Sequence, residues 1–287
     1  MKNLLNMIQN REVIGMNYRN RLMVDKLNPK PLVAIASDKI ISKQLFEAHN
    51  IKVPKTIGIL RYYKEIDKIY ERLMQEENGF VIKPAKSSQG SGVMICSKAL
   101  EDKVFPYLDA PITREKFTFF IRCILYGEYS FGQPLDSALI EQRIELDKSW
   151  IYDNLPGPPD LRVIIHLGKP IMAMMRVPTI YSKGRSNLHC GAVGVGLDLE
   201  SETTTFSILK EKAITHHPDT AQKLSGKHIK DLKECLSLAR KCYQIVPLGY
   251  MGVDIMYDIS LGPVVIEINA RPGLAIQIAN RKGILAV

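Results

Sequence analysis

Three oxygen-bearing side chains late in the chain raise the first chemical question: Asp254, Glu267 and Asn269. They lie in 252–270, where two apolar runs, 253–257 and 264–269, flank Ser260-Leu261. A hairpin turning there pairs Asp254 with Glu267, since both are equally far from its centre. The two-residue period of a strand then puts Asn269 on the same face. Two carboxylates and an amide oxygen make a hard-oxygen set of the kind Mg²⁺ uses when waters and phosphate oxygens complete its shell. The competing reading is a polar outer face on an edge hairpin. Glu267, set between Val265-Ile266 and Ile268, favours the metal, because an acid in so apolar a run is costly unless paired.

A second group suits phosphate. Lys83-Pro84-Ala85-Lys86-Ser87-Ser88-Gln89-Gly90-Ser91-Gly92 combines small residues, which let backbone N–H groups approach an anion, with two lysines. A strand rather than a helix follows it, so it is not a Walker A loop, and a plain hairpin turn fits it equally well. Arg176, Arg185 and Arg271 are candidates to neutralise a transferring phosphoryl group or to hold a carboxylate, against the bland alternative of solvated surface charge. Arg185 stands near Asn187 and Arg271 near Asn269, which strengthens both. His189, His216 and His217 read as satisfied polar residues rather than catalysts.

The elements that must position these groups follow from periodicity. A helix is expected from Ser37, as N-cap, to about His49, and an amphipathic one over 64–77, where Ile66, Ile69, Tyr70, Leu73 and Met74 share a face. Strands at 80–83 and 93–96 flank the Gly/Ser loop, and a further helix covers about 227–244. In 161–177 a three-residue loop Gly168-Lys169-Pro170 would pair Leu167 with Ile171 and set Arg162 opposite Arg176. Residues 1–36 read as irregular, with 28–31 as a turn or linker. Strands mixed with helices and joined by hairpins indicate an α+β fold with antiparallel sheets.

Composition narrows the partners. The chain has 287 residues, 46% hydrophobic and 24% charged, which excludes disorder and collagen-like structure. Thirty-nine basic against 30 acidic residues give +9, which admits nucleotide, nucleic acid or acidic peptide. No spaced aromatic platform accompanies that charge, so nucleic acid is not the expected partner. Five scattered cysteines argue for reduced thiols. Every apolar run is interrupted before it could span a membrane, and 1–11 lack a signal-peptide pattern, so a cytoplasmic protein is expected.

Taken in order, these pieces resemble the ATP-grasp fold and the RimK-like ligases within it. The resemblance runs through 37–39, 80–84, 140–144, 160–162, 184–189, 252–255 and 267–274, and so covers most of the chain. The stretches 187–198 and 269–280 are most similar to the subgroup called alpha-L-glutamate ligase-like or RimK-related proteins. The resemblance implies an N-terminal extension over 1–36 and an ATP-grasp domain over 37–287, itself divided near 140/141 into a small nucleotide-lid part and a metal-binding, catalytic part. It implies that Lys39 and Lys83 contact ATP and that Lys86, Ser87, Ser88, Gln89, Gly90, Ser91 and Gly92 close over its phosphates. Glu141, Gln142, Arg143 and Ile144 would form an adenine-reading hinge, and Arg162 would join the nucleotide site. Asp254, Glu267 and Asn269 would hold two Mg²⁺ ions, with Mn²⁺ as a substitute. Arg176 and Asn187 would face the phosphoryl group, and Arg185 and Arg271 the acyl substrate.

The activity so implied is ADP-forming ligation of a carboxylate to an amine, with glutamate or another amino acid added to a peptide or small acid. A kinase on the same fold, or a nucleotide-binding regulator without turnover, stays open beside it. Fewer residues precede Lys39 than the usual N-terminal domain of the RimK enzymes contains, which leaves the acceptor undefined, and the sequence leaves a homo-oligomer open.

Overall fold

A computed structural model describes residues 12–130, 132, 134–147, 150–210 and 212–286. Residues 1–11, where the sequence lacks a signal-peptide pattern, lie outside that set. The chain divides into two compact units, one from residues 37–40 and 54–145 and one from 1–36, 41–53 and 146–287.

The described part of 12–36 is helical rather than irregular. An α-helix Met16–Tyr18 runs into a π-helix Arg19–Val24 and an α-helix Asp25–Leu27, followed by α1 (Lys30–Ser37) and α2 (Lys39–Ala48). The helix expected from Ser37 therefore starts one residue later. Asp38 caps it, its Oδ1 accepting the Ile40 N–H at 2.9 Å, and Ser37 closes the preceding helix.

The smaller unit is a six-stranded antiparallel sheet in the order β1-β6-β2-β3-β4-β5. Its strands are β1 (Thr56–Leu60), β2 (Phe80–Pro84), β3 (Met94–Leu100), β4 (Lys103–Pro106), β5 (Ile112–Thr113) and β6 (Ala138–Gln142). Two helices, α3 (Ile66–Leu73) and α4 (Arg114–Leu125), bury Ile66, Ile69, Tyr70 and Leu73 with Phe117, Ile121 and Ile124 against it. This spacing of one apolar residue every three or four is what makes each of them a one-sided helix.

The larger unit is a seven-stranded antiparallel sheet, β11-β10-β9-β8-β7-β12-β13. It comprises β7 (Asp160–His166), β8 (Lys169–Val177), β9 (Val193–Asp198), β10 (Thr203–Leu209), β11 (Lys212–Ile214), β12 (Tyr250–Asp258) and β13 (Gly262–Asn269), with helices α5 (Leu232–Ile245) and α6 (Ala275–Asn280). One face sends Leu161, Val163, Ala173, Met175, Val253 and Ile255 into a core with Leu232, Cys235 and Ala239 of α5. The other face carries Ile164, Met172, Met174 and Tyr250, covered by Ile14, Met23 and Val24 of the N-terminal segment and by Ile276 and Ala279 of α6. Trp150 is buried in the first core against the Tyr257 ring, centroids 5.6 Å apart. All five cysteines are free thiols, and Cys96, Cys235 and Cys242 are buried. Among the described residues no helix is long and apolar enough to cross a membrane.

The β7–β8 hairpin differs from its expected form. Its turn is the two residues Leu167-Gly168, both at positive φ (46° and 82°), and His166 pairs with Lys169. Pro170 sits in the ladder opposite Ile165. It is tolerated there because β9 pairs with β8 only from Met174 onward, so no neighbour on that side asks for its N–H. Arg162 consequently lies opposite Met174, and Arg176 opposite Asp160.

Candidate active site

The charged rows of the larger unit occupy the end of the sheet face whose other end is apolar. β7 presents Asp160 and Arg162, β8 Arg176, β12 Asp254, and β13 Glu267 and Asn269. Asp254 stands directly opposite both Arg162 and Glu267, and Asn269 opposite Gly252. The pairing of Asp254 with Glu267 is the expected one, but it is reached differently. The turn Ile259–Leu261 is centred on Ser260, so near it Tyr257 pairs with Pro263 and Ile255 with Val265. A bulge between this pair and Asp254 then takes up one residue of β13. Val265 faces the α5 core, and so do Ile268 and Ala270, which means that the face changes at 266–267. Without the bulge Glu267 would follow Val265 into that core.

Hydrogen bonds join the rows into one network. Arg162 grips Asp254 with both ends of its fork, Nε donating to Oδ1 at 2.7 Å and an Nη to Oδ2 at 2.6 Å. Arg176 grips Asp160 in the same way, with Nε donating to Oδ1 at 2.5 Å, and also reaches Asp254 Oδ2 at 2.7 Å. The Asn269 amide nitrogen lies 3.3 Å from Glu267 Oε1 and 3.4 Å from Asp254 Oδ2. Asp160, Arg176 and Asp254 are buried. Burial works to raise the Asp254 pKa, but Arg162 and Arg176 outweigh it and hold the carboxyl below the usual carboxylate range. For Asp160 burial prevails over Arg176, and its carboxyl is pushed up to about 7. Arg176 is desolvated too, yet Asp160 and Asp254 make it harder to deprotonate.

This donor set fits Mg²⁺. Asp254 Oδ2 already receives three N–H donors, but Oδ1 receives one, from Arg162, and a carboxylate oxygen can accept two. Glu267 adds a second hard ligand beside it, and the Asn269 amide, whose nitrogen faces both carboxylates, would offer its oxygen after turning over about its terminal bond. No group of three His, Cys, Asp or Glu side chains that could hold a metal by itself exists among the described residues, so most of the ion's shell would come from water and phosphate.

The other candidates of this unit lie in the 178–191 loop or next to the hairpin. The Arg185 Nε donates to Ser182 O at 3.2 Å, and Asn187 Oδ1 accepts the His189 N–H at 2.9 Å, capping the 3₁₀ turn Leu188–Cys190. His217 is buried, its Nε2 2.9 Å from Pro178 O and its Nδ1 accepting from Asp219 N, while Asp219 Oδ2 accepts from Ile180 N. That side chain braces the loop, in keeping with its reading as a satisfied polar residue. Arg271 is exposed.

In the smaller unit, Lys83 on β2 forms a buried ion pair with Glu141 on β6. Lys39 Nζ donates to Ser87 O at 2.6 Å, and Lys39 N to Ala85 O at 3.0 Å, which tie the start of α2 to the 86–92 loop. Asp136 holds the loop's near end, accepting from Lys86 N at 3.0 Å and from the Ser130 hydroxyl. Gln89, Gly90 and Gly92 all have positive φ. At Gly92 (φ 68°) a Cβ would come within 2.5 Å of the Tyr129 ring and 2.7 Å of Pro84, so the bare backbone is required twice over. Ser88 and Ser91 form a turn, Ser91 N donating to Ser88 O. In the expected hinge, Gln142 N donates to Lys55 O and Arg143 N to Gly79 O, and Ile144 follows in the irregular stretch after β6.

Sequence reasoning gave no role to Asp160, Asp136 or Arg19. The first carried a signal, because an Asp and an Arg two residues apart open an otherwise apolar strand. The other two had no local signal, since the partners that give them a place, Lys86 for Asp136 and Pro272 for Arg19, are 50 and 253 residues away.

The model of the sugar-transfer associated ATP-grasp proteins matches residues 18–287. The chain belongs to that family. Its fold is accordingly the α+β ATP-grasp fold. D-cycloserine synthetase DcsG shares it, at 14% identity and a TM-score of 0.51 over 89% of this chain and 70% of that one. A RimK domain ATP-grasp protein from Sphaerobacter thermophilus is similar at 13% identity and a TM-score of 0.47, over 89% and 68%. The ATP-grasp ligase PsnB is similar at 12% identity and 0.42, with 88% of this chain aligned to 57% of that one. This ATP-grasp chain thus spans just over half the length of PsnB. No curated protein matches it in sequence.

Proposed function

We propose that this ATP-grasp protein is a Mg–ATP-dependent carboxylate–amine ligase that activates its acid as an acyl phosphate. The observation that carries the reading is the Asp254/Glu267/Asn269 set, with Arg162 and Arg176 holding Asp254 in place. Such a site suits a divalent cation that itself carries nucleotide phosphates. In the smaller unit, Lys39, Lys83 and the 86–92 loop are a second set of groups suited to phosphate.

The cation, when bound by Asp254, Glu267 and Asn269, would offset charge on the phosphate oxygens. Arg162 and Arg176 act indirectly, keeping Asp254 ionised and aimed. Arg271, exposed just beyond Asn269, has the planar fork that suits a substrate carboxylate. A carboxylate oxygen attacks the γ-phosphorus and ADP leaves. The amine then attacks the acyl carbon, phosphate leaves, and the amine nitrogen gives up a proton. No side-chain nucleophile is needed. The RimK resemblance suggests glutamate or another amino acid joined to a peptide or a small acid, and the family's association with sugar transfer does not bear on that choice.

Hydroxylamine tests this chemistry. With Mg–ATP and the correct carboxylate but no amine, the enzyme should yield a hydroxamate and ADP. Glu267→Gln should abolish that product while the circular dichroism and melting profile stay near wild type. A carboxylate that supports full amide formation and never gives hydroxamate would overturn the mechanism, and a phosphorylated alcohol would point to a kinase.

A further inference from the structure

Arg19 belongs to the N-terminal π-helix, yet its side chain reaches the segment that follows the proposed metal site. Its Nη1 donates to Pro272 O at 3.1 Å, and its Nε and Nη2 both donate to Asn20 Oδ1, at 3.1 and 2.9 Å. Three of the five N–H donors of a guanidinium are thus used, all on neutral acceptors, which leaves one on each terminal nitrogen. Pro272 covers Gly252, where a Cβ would lie 2.9 Å from the proline ring and 3.7 Å from Arg162 Nε. Arg19 is therefore one proline away from the guanidinium that clamps Asp254.

The charge there is not balanced. Burial holds the Arg19 pKa below its ordinary value, and the Arg271 charge adds to that, opposed only by Tyr250. No ion pair to Arg19 or Arg271 is present among the described residues. The Tyr250 hydroxyl is buried without a hydrogen-bond partner among the described residues, within electrostatic reach of Arg19 and Arg162. Arg19, partly desolvated, within electrostatic reach of Arg271 and of an orphaned hydroxyl, and with no ion pair among the described residues, would be stabilised by an anion shared with the exposed Arg271.

We infer that Arg19 and Arg271 together bind a substrate carboxylate other than the one that is activated. The inference rests on the ligase reading for what the substrate is, but the site can be tested without turnover. The carboxylate comes either from a diacid acyl substrate or from the amino acid that supplies the amine. In both cases the N-terminal segment contributes to substrate choice.

Arginine labelling by phenylglyoxal with peptide mass mapping reads the site directly. The whole protein, with Mg²⁺ and a non-hydrolysable ATP analogue, is labelled alone or with glutarate, butyrate, L-alanine or L-alaninamide at fixed ionic strength. Glutarate or L-alanine should slow adduct formation at Arg19, and L-alaninamide, which lacks a carboxylate, should not. Protection by glutarate where butyrate fails assigns the group to the acyl substrate, and protection by L-alanine assigns it to the amine. Arg19→Gln should weaken protection of Arg271 on the order of tenfold, and Arg19→Lys less, as expected for a charged hydrogen bond lost or made less well. Unchanged labelling of Arg19 with every carboxylate, or full protection of Arg271 in Arg19→Gln, overturns the inference. Hydroxamate formation without protection refutes this site alone, and protection without hydroxamate refutes the ligase reading alone.

Discussion

Asp160 and Asp254 lie in one hydrogen-bonded network and are driven in opposite directions. Asp254 has two guanidiniums on it, which overcome its burial, whereas Asp160 has one and remains a weak acid near 7. An acid whose folded pKa exceeds its unfolded value binds its proton more tightly when folded. Stability therefore falls as pH rises between the unfolded value, about 4, and the folded one, about 7. Asp254 adds no slope above about pH 5, because it is ionised in both states there. Urea midpoints measured from about pH 5 to about pH 7 should decline in the wild type and decline less in Asp160→Asn, whatever that change costs overall. An undiminished slope in Asp160→Asn would show that another group titrates. At this scale the sequence was most legible where chemistry is local. Asp254, Glu267 and Asn269 announce themselves by interrupting apolar runs, whereas the partners of Arg162 and Arg176 depend on register and could not be read before it was known.

Elements with one clear apolar stripe were equally legible. The spacing in α3 places its buried side correctly, whereas α4 has no counterpart among the expected helices although Phe117, Ile121 and Ile124 carry the same signal. Hairpin registers were harder, because a bulge leaves little trace in sequence. The β7–β8 turn took Leu167 and Gly168 at positive φ instead of a three-residue loop, and every pairing moved with it. The 86–92 loop owes its shape to Gly92, whose φ of 68° and contact with Tyr129 exclude a side chain. Gly92→Ala should cost about 1–2 kcal/mol in stability from the left-handed conformation alone. It should also weaken binding of a non-hydrolysable ATP analogue well beyond that of Gly132→Ala, a site with open space around it. Equal affinities by calorimetric titration would remove the loop from the nucleotide site.

Across the molecule, the N-terminal segment is the part that sequence explained least. Its apolar side chains are interspersed with Asn, Arg and Lys, and they acquire meaning only against a sheet formed by residues far along the chain. Asn28 joins the two. Buried, it donates to Tyr250 O at 2.7 Å and Ala270 O at 3.2 Å and accepts from Tyr250 N at 2.9 Å. Asn28→Ala would strand backbone groups and should lower unfolding free energy by about 2–4 kcal/mol, readable by urea denaturation. A loss under about 0.5 kcal/mol, the range of ordinary surface changes, would mean that the segment is not integral to the larger unit. Both hairpins that bear the charged rows share one more trait: each has its bulge between the turn and the charges. The bulge acts as a register buffer. A residue gained or lost near either tip can be absorbed by moving or erasing it, without turning the acids and arginines to the wrong side. The tips at 167–168 and 259–261 are thus where this chain has room to vary while its chemistry stays still.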